Sequence, residues 1–126
     1  MKIIFGELEL NAGAQPPKSM RVDAKNQVST DFAIDNQNAI LRQNKNLKTA
    51  VAFEIENAHA TESAALKFAL SQAKKMNGVP AEKLVFFDEE EGAKIFELGN
   101  AALVSLKISC FGHSTNSKYE FYGDSE

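Results

Sequence analysis

The chain has 126 residues, 44% of them hydrophobic and 25% charged, with a formal net charge of −3 at pH 7. This length fits one domain, which can bury a core without a metal ion or a disulfide. The mild acidity and the lack of a lysine and arginine cluster argue against specific nucleic-acid binding. No apolar stretch approaches the ~20 residues that cross a bilayer, so no membrane association is expected.

The first part of the chain predicts two strands separated by a loop. Residues 2–10 end in alternating leucines and glutamates, which is typical of a half-buried strand. Residues 11–18 contain two adjacent prolines that cannot donate to a sheet, so a loop is expected before a short strand at residues 20–24. The apolar run at the N-terminus is too short for a signal peptide. We therefore expect the protein to be made in the cytoplasm and to stay there unless an assembly carries it out.

Residues 25–48 are polar, and we expect them to form an extended loop or a hairpin. They are rich in asparagine, glutamine, lysine and aspartate, and two short apolar pieces flank a turn-forming stretch. A polar segment of this length inside a compact domain is either a mobile surface loop or a contact surface. If it is a contact surface, four apolar residues are the expected subunit contacts: Phe32, Ile34, Ile40 and Leu41.

The middle of the chain predicts one central strand and one helix. Residues 49–56 alternate in polarity, so one face of this strand is expected to be buried. Thr61 is placed to cap a helix over residues 61–77, and Gly78 follows its last turn. An apolar stripe at helical spacing predicts the face that packs on the core: Ala65, Leu66, Ala69, Leu70, Ala73 and Met76.

The C-terminal third predicts a meander of antiparallel strands joined by tight turns. Turns are expected at the acidic stretch before Gly92, at Gly99 and Asn100, and after Gly112. The strands between them are expected at residues 83–88, 93–98, 104–110 and 118–121. Cys110 is the only cysteine and lies in an alternating apolar run, so we expect a buried, inert thiol. Four phenylalanines are also expected in the core: Phe86, Phe87, Phe96 and Phe111.

No grouping of residues in the sequence predicts an active site, a metal site or a cofactor site. His59 precedes the helix and His113 lies in a turn beside Ser114, but no residue is placed to orient a nucleophile and base pair. One cysteine and two distant histidines do not make a zinc site, and residues 88–91 lack the spacing of a calcium loop. We therefore expect a protein that is not an enzyme and needs no cofactor.

Together these elements predict a single α+β domain over residues 1–126, and their order resembles a known group of proteins. A strand at residues 48–56 leads through a His-Ala-Thr-Glu step into one helix and then a meander. The chain closes on a Gly/Ser/Thr turn and a Tyr-x-Phe-x-Gly strand at residues 111–123. This resembles the small structural proteins of long-tailed phage and prophage tails, the tail-tube and distal-tail group. The resemblance covers about residues 20–123 and is topological.

The resemblance implies both a fold and an assembly. The fold is an antiparallel β-sandwich or partly open barrel with one packed α-helix. The assembly is a homo-oligomeric ring, commonly hexameric, formed through strand edges and an extended hairpin, which here is residues 30–48. Other tail proteins are implied as further partners and the virion tail as the location. The group has no catalytic residues.

Two other hypotheses stay open. One is a small bacterial binding module that recognises a peptide or a small ligand through a sheet edge or an apolar groove. The other is an enzyme of unfamiliar type, which needs His59 or His113 to meet an acidic residue across the fold.

Overall fold

A computed structural model of the chain describes residues 1–11, 17–25, 28–32, 39–43, 47–88 and 90–125. Strands and one helix make up most of these ranges, which confirms the predicted α+β class. In chain order they are β1 Lys2–Phe5, β2 Leu8–Glu9, β3 Ser19–Lys25, β4 Val28–Phe32, β5 Ala39–Gln43, β6 Leu47–Ala58, α1 Glu62–Met76, β7 Glu82–Asp88, β8 Ala93–Phe111 and β9 Ser114–Ser125.

Seven of the strands form one antiparallel sheet, in the order β2-β1-β7-β8-β9-β6-β3. β2 and β3 are its two edges and do not pair with each other, so the sheet is not closed. Among the described strands, β4 and β5 pair only with each other, with Val28 opposite Gln43 and Phe32 opposite Ala39. We call these two strands the β4–β5 ribbon.

The buried core lies on one face of the large sheet, and the sheet curls around it. The ring centroids of Phe5 in β1 and Phe121 in β9 are 4.9 Å apart, and those of Phe53 in β6 and Phe86 in β7 are 5.7 Å apart. Each pair comes from strands three positions apart in the sheet, a separation of about 14 Å if the sheet were flat. These contacts therefore require the sheet to bend until its outer strands approach each other.

The predicted faces of the two long partner strands β6 and β9 are confirmed. Val51, Phe53 and Ile55 of β6 are buried, as are Tyr119 and Phe121 of β9. The buried positions on each strand are two residues apart, as the alternation of a strand requires. The strand expected at residues 20–24 lies within β3.

The N-terminal segment forms a tight hairpin, so the prediction of one continuous strand is wrong. β1 and β2 pair antiparallel, and Gly6 turns the chain with a φ of 62°, a conformation that suits glycine because it has no Cβ. Asn11 is buried behind this turn. Its Oδ1 accepts a hydrogen bond from the N–H of Ile3 at 2.8 Å, and its Nδ2 donates to the carbonyl of Met1 at 2.6 Å. The amide side chain thus holds the hairpin closed.

β8 is a single strand of 19 residues, so the predicted turn at Gly99 and Asn100 is wrong. Asn100 has a φ of 49°, and the register between β8 and β9 shifts between Gly99 and Ala102. These residues form a bulge that bends the strand without reversing it. Gly123 of β9 lies against the bulge, where a Cβ would stand 2.8 Å from the carbonyl oxygen of Gly99.

The helix α1 begins at its predicted cap but packs through a narrower face than predicted. Thr61 Oγ1 accepts a hydrogen bond from the N–H of Ala64 at 3.0 Å, and Gly78 follows the last turn with a φ of 72°. The buried residues of the predicted stripe are Ala65, Ala69 and Met76, whereas Leu66, Leu70 and Ala73 are exposed. The apolar stripe of α1 is wider than the surface that contacts the sheet. The small side chains of Ala65 and Ala69 let the helix lie close to the sheet.

Candidate functional site

The second half of β8 has a partner strand on one side only. Residues 93–101 pair with β7, and residues 98–111 pair with β9. Beyond Ala101, no strand in the described part of the chain lies on the β7 side. We call residues 102–111 the free half of β8. Its backbone N–H and C=O groups that point away from β9 form an open edge for a further strand.

The free half of β8 carries apolar side chains at its surface. Val104 is 61% exposed, Phe111 is 73% exposed, and Cys110 is an exposed free thiol. The predictions that Phe111 and Cys110 belong to the core are therefore wrong. Both lie at the end of the β8–β9 hairpin, beyond the curled part of the sheet that encloses the core. The other predicted core phenylalanines are buried or partly buried: Phe86, Phe87 and Phe96.

A groove of about 600 Å³ runs between the free half of β8 and the C-terminal half of α1. We call it the α1–β8 groove. The exposed Leu66 and Leu70 precede Ala73 by seven and three residues, so they continue the helix wall toward its N-terminus. The walls of the groove include Ala73, Lys74 and Met76 of the helix and Val104, Ser105 and Leu106 of the strand.

A partly buried hydrogen bond fixes the helix that forms one wall. Gln72 Nε2 donates to the hydroxyl of Tyr119 at 2.8 Å. Burial raises the pKa of the Tyr119 hydroxyl, and the hydrogen bond from Gln72 opposes part of that rise. The Tyr119 ring also stacks on Phe53 with centroids 5.2 Å apart. Because α1 is held to β9 in this way, the groove beside β8 has a fixed wall.

The predicted subunit contacts fall in or beside the β4–β5 ribbon. In the register of the ribbon, Phe32 and Leu41 occupy the same face, and Ile40 occupies the opposite face. Ile34 lies outside the described residues. The structure thus brings two of the four residues to one face, and their role in subunit contact stays a prediction.

A backbone hydrogen bond joins the two histidine residues. The N–H of His59 donates to the carbonyl of His113 at 2.7 Å. The His59 ring lies 4.9 Å from Phe68, and its Nε2 is 2.9 Å from Oγ1 of Thr115. Thr115 is fully buried, so a substrate has no access to this hydroxyl. The His59 side chain therefore joins the start of α1 to β9, a role that its position before the helix did not reveal.

Several acidic side chains are held by polar neighbours. Glu54 accepts a hydrogen bond from Asn116 at 3.3 Å and lies 3.4 Å from Nζ of Lys118, and these contacts lower the pKa of Glu54 below its usual 4.5. Two lysines on β7 and β8 lower the pKa of Glu97 in the same way. Within the described ranges, no group of three or more His, Cys, Asp or Glu residues is placed to hold a metal ion.

The sequence contains one signal that could have revealed the open edge. Residues 93–111 contain no proline, and apolar residues recur along their whole length, as expected of one long strand. β7 has 7 residues and β8 has 19, so β7 can accompany only part of β8. The glycine and asparagine at the bulge led to the prediction of two short strands instead of one long strand, because the same pair is typical of a turn.

Comparisons of the chain with protein-family models and with curated proteins find no match. Among the described residues, no helix combines the length and the apolar character needed to cross a membrane.

Proposed function

We propose that this chain is a non-catalytic structural protein that self-assembles into a ring or tube of a phage-like tail. The observation that carries the proposal is the free half of β8, a long edge with apolar side chains and no second strand beside it among the described residues. An edge of this kind associates with other chains unless something covers it. We expect a strand of another copy of the same protein to pair with this edge, which gives the chain a structural role.

The partner proposed for the free half of β8 is the β4–β5 ribbon of a neighbouring copy, which would pair with it as a further strand. A two-stranded ribbon is at best marginally stable in water, and this one pairs with no other described strand. Placing its edge against the free half of β8 satisfies unpaired backbone groups on both copies. The two surfaces differ, so the contact is head-to-tail, and repeated head-to-tail contacts produce rings or filaments. The resemblance to tail proteins favours a ring, with six copies as the expected number.

The curled sheet suits such an assembly. The contacts of Phe5 with Phe121 and of Phe53 with Phe86 support a partly open barrel or sandwich, covered by α1. The free half of β8 and the β4–β5 ribbon then serve the contacts between copies. Other tail proteins are the expected further partners, and the virion tail is the expected location.

The test is the mass of the protein in solution as a function of concentration, with negative-stain images of the same samples. We expect rings or tubes from the natural chain. Val104→Lys places a charge on the open edge and should abolish rings without unfolding the protein, because Val104 is already 61% exposed. Replacing residues 28–43 by a Gly/Ser linker should have the same effect. Glu120→Lys, an exposed position on β9, is the matched control and should assemble normally.

Two results would overturn the proposal. One is a natural chain that forms no rings or tubes at any concentration. The other is a Val104→Lys variant that assembles as well as the control. Circular dichroism of each variant separates a lost contact from a lost fold.

A peptide-binding module is the second candidate, and the α1–β8 groove favours it. Its volume of about 600 Å³ lies within the range of ligand pockets, and an open strand edge beside a helix can accept an extended peptide by strand addition. This candidate predicts that peptides selected on the natural chain lose binding in Val104→Lys and keep it after replacement of residues 28–43. Self-assembly predicts that this replacement abolishes assembly.

A further inference from the structure

The edge strand β3 exposes the apolar face of the sheet. It pairs with β6 on one side and with no described strand on the other. Met20 lies opposite Phe53 and Val22 opposite Val51, so both residues are on the side of the sheet that holds the core. Yet Met20 is 39% exposed and Val22 is 50% exposed. In the described part of the chain, the core face therefore continues to the sheet edge with apolar side chains that stay partly exposed.

The opposite face of β3 carries charged residues of both signs, with Arg21 and Asp23 on either side of Val22 and Lys25 at the end of the strand. Arg21 and Asp23 are two residues apart, and Nε of Arg21 lies 3.2 Å from Oδ2 of Asp23. Both side chains are more than half exposed, with 73% and 52% of their surface accessible. Val22, which lies between them, is the middle residue of β3 Ser19–Lys25. Arg21 and Asp23 are therefore self-complementary about the centre of the strand, and Lys25 would face the uncharged Ser19.

We propose that β3 pairs antiparallel with β3 of a second copy, around a two-fold axis at Val22. In this register Arg21 lies opposite the partner's Asp23, and Asp23 lies opposite the partner's Arg21. Val22 lies opposite the partner's Val22, so the exposed apolar face of one copy continues into that of the other. Opposite charges and apolar residues that face each other directly across strands stabilise a sheet.

Neighbouring registers are disfavoured by charge. A two-fold axis at Arg21 places two arginines opposite each other, and an axis at Asp23 does the same with two aspartates. An axis at Met20 or Ala24 leaves fewer residues of β3 facing each other. Only the register centred on Val22 combines the full length of the strand with two pairs of opposite charges.

This contact is independent of the proposed ring. It uses the edge β3 and joins identical surfaces, whereas the ring contact uses the free half of β8 and joins different ones. A Val104→Lys variant that forms no rings should therefore still form the β3 dimer, and the two proposals can fail separately.

Charge reversal tests the register in the Val104→Lys background, where dimers can be measured without rings. Arg21→Asp and Asp23→Arg each turn two attractive pairs into two repulsive ones, so each should weaken the dimer about tenfold or more in sedimentation equilibrium. The double variant Arg21→Asp/Asp23→Arg restores opposite charges and should return to within about threefold of its parent. No dimer in the parent, or no recovery in the double variant, would overturn the proposal.

Cross-linking gives a second, geometric test. In a Cys110→Ser background, Val22→Cys should form a disulfide dimer under mild oxidation, because directly opposed residues have Cβ atoms about 4.5–5.5 Å apart. Ala24→Cys is the matched control. The two copies of position 24 are offset by four residues along the strands, about 13 Å, and should not cross-link. Equal cross-linking at both positions, or none at position 22, would contradict the register.

Discussion

The two halves of β8, residues 93–101 and the free half, both contain recurring apolar residues but have different strand partners. Residues 98–101 pair with β7 on one side and with β9 on the other, and within them Leu98 and Ala101 are fully buried. In the free half, Val104 is mostly exposed and Phe111 more so. Apolar residues recur in both halves, so the alternation of the sequence alone does not decide burial. A strand partner on each side, and the curl that those partners maintain, is what separates residues 98–101 from the free half.

Different residues of β8 should therefore control the stability of the fold and the assembly of copies. Buried side chains of residues 98–101, which are paired on both sides, should determine whether the protein folds. Exposed side chains in the free half, such as Val104, should determine whether copies associate and should have little effect on folding, whereas Leu103 and Leu106 of the same segment pack against the core.

Leu98→Ala should be the most damaging of these substitutions. Leu98 is fully buried, so truncation leaves a cavity and should lower the free energy of unfolding by about 2–5 kcal/mol. Val104→Ala, in the free half, should change it by less than about 0.5 kcal/mol. Urea denaturation in a mutant that cannot assemble measures both values. Similar losses at the two positions would remove the distinction between the halves.

Gly123→Ala should destabilise the bend between the two halves. A Cβ at this position would meet the Cα of Ala101 and the carbonyl oxygen of Gly99, both at 2.8 Å, and backbone atoms cannot move aside easily. We expect a loss of about 1–3 kcal/mol in thermal or urea unfolding. Gly99→Ala is the control, because its Cβ would meet only one atom, at 3.6 Å. A larger loss in the control would show that the bend is packed differently.

Asn11→Ala tests a contact at the other end of the sheet, next to β1. The variant loses the hydrogen bonds to Ile3 and Met1 inside a buried region and should lose about 1–3 kcal/mol of stability. The exchange protection of the Ile3 amide should fall as well. Unchanged protection at this amide would mean that the side chain does not hold the hairpin.

Acid should weaken the pairing of β7 with β8 through Glu97 and the pairing of β6 with β9 through Glu54. The folded-state pKa of each is lowered by hydrogen bonds and nearby lysines. Their contribution is therefore present above the usual pKa of 4.5 and is lost as the pH falls through the lowered values. Glu54→Gln and Glu97→Gln should each make stability less dependent on pH in this acidic range. Both residues are near the surface, so we expect a small effect. An unchanged pH profile would show that these contacts do not persist in solution.

Local signals in the sequence predicted much of the fold. The cap at Thr61, the glycine after the helix and the alternation of β6 and β9 depend on neighbours in the chain, and each was predicted correctly. The bulge at Asn100 was mistaken for a turn because glycine and asparagine are typical of both. Which face of α1 is buried and where Phe111 lies depend on the curl of the sheet, which is set by strands far apart in sequence. The open edge was not predicted because the glycine and asparagine at the bulge indicated a turn inside what is one long strand.

Hydrogen–deuterium exchange of the assembled protein, compared with the dispersed Val104→Lys variant, tests the central claim most directly. Amides of residues 93–101 that bond to β7 should be protected in both samples. Amides of residues 102–111 that point away from β9 should exchange rapidly in the dispersed variant and slowly in the assembly, because a neighbouring strand then covers them. Rapid exchange of these amides in the assembled protein would contradict the assignment of the free half of β8 as the surface through which copies associate.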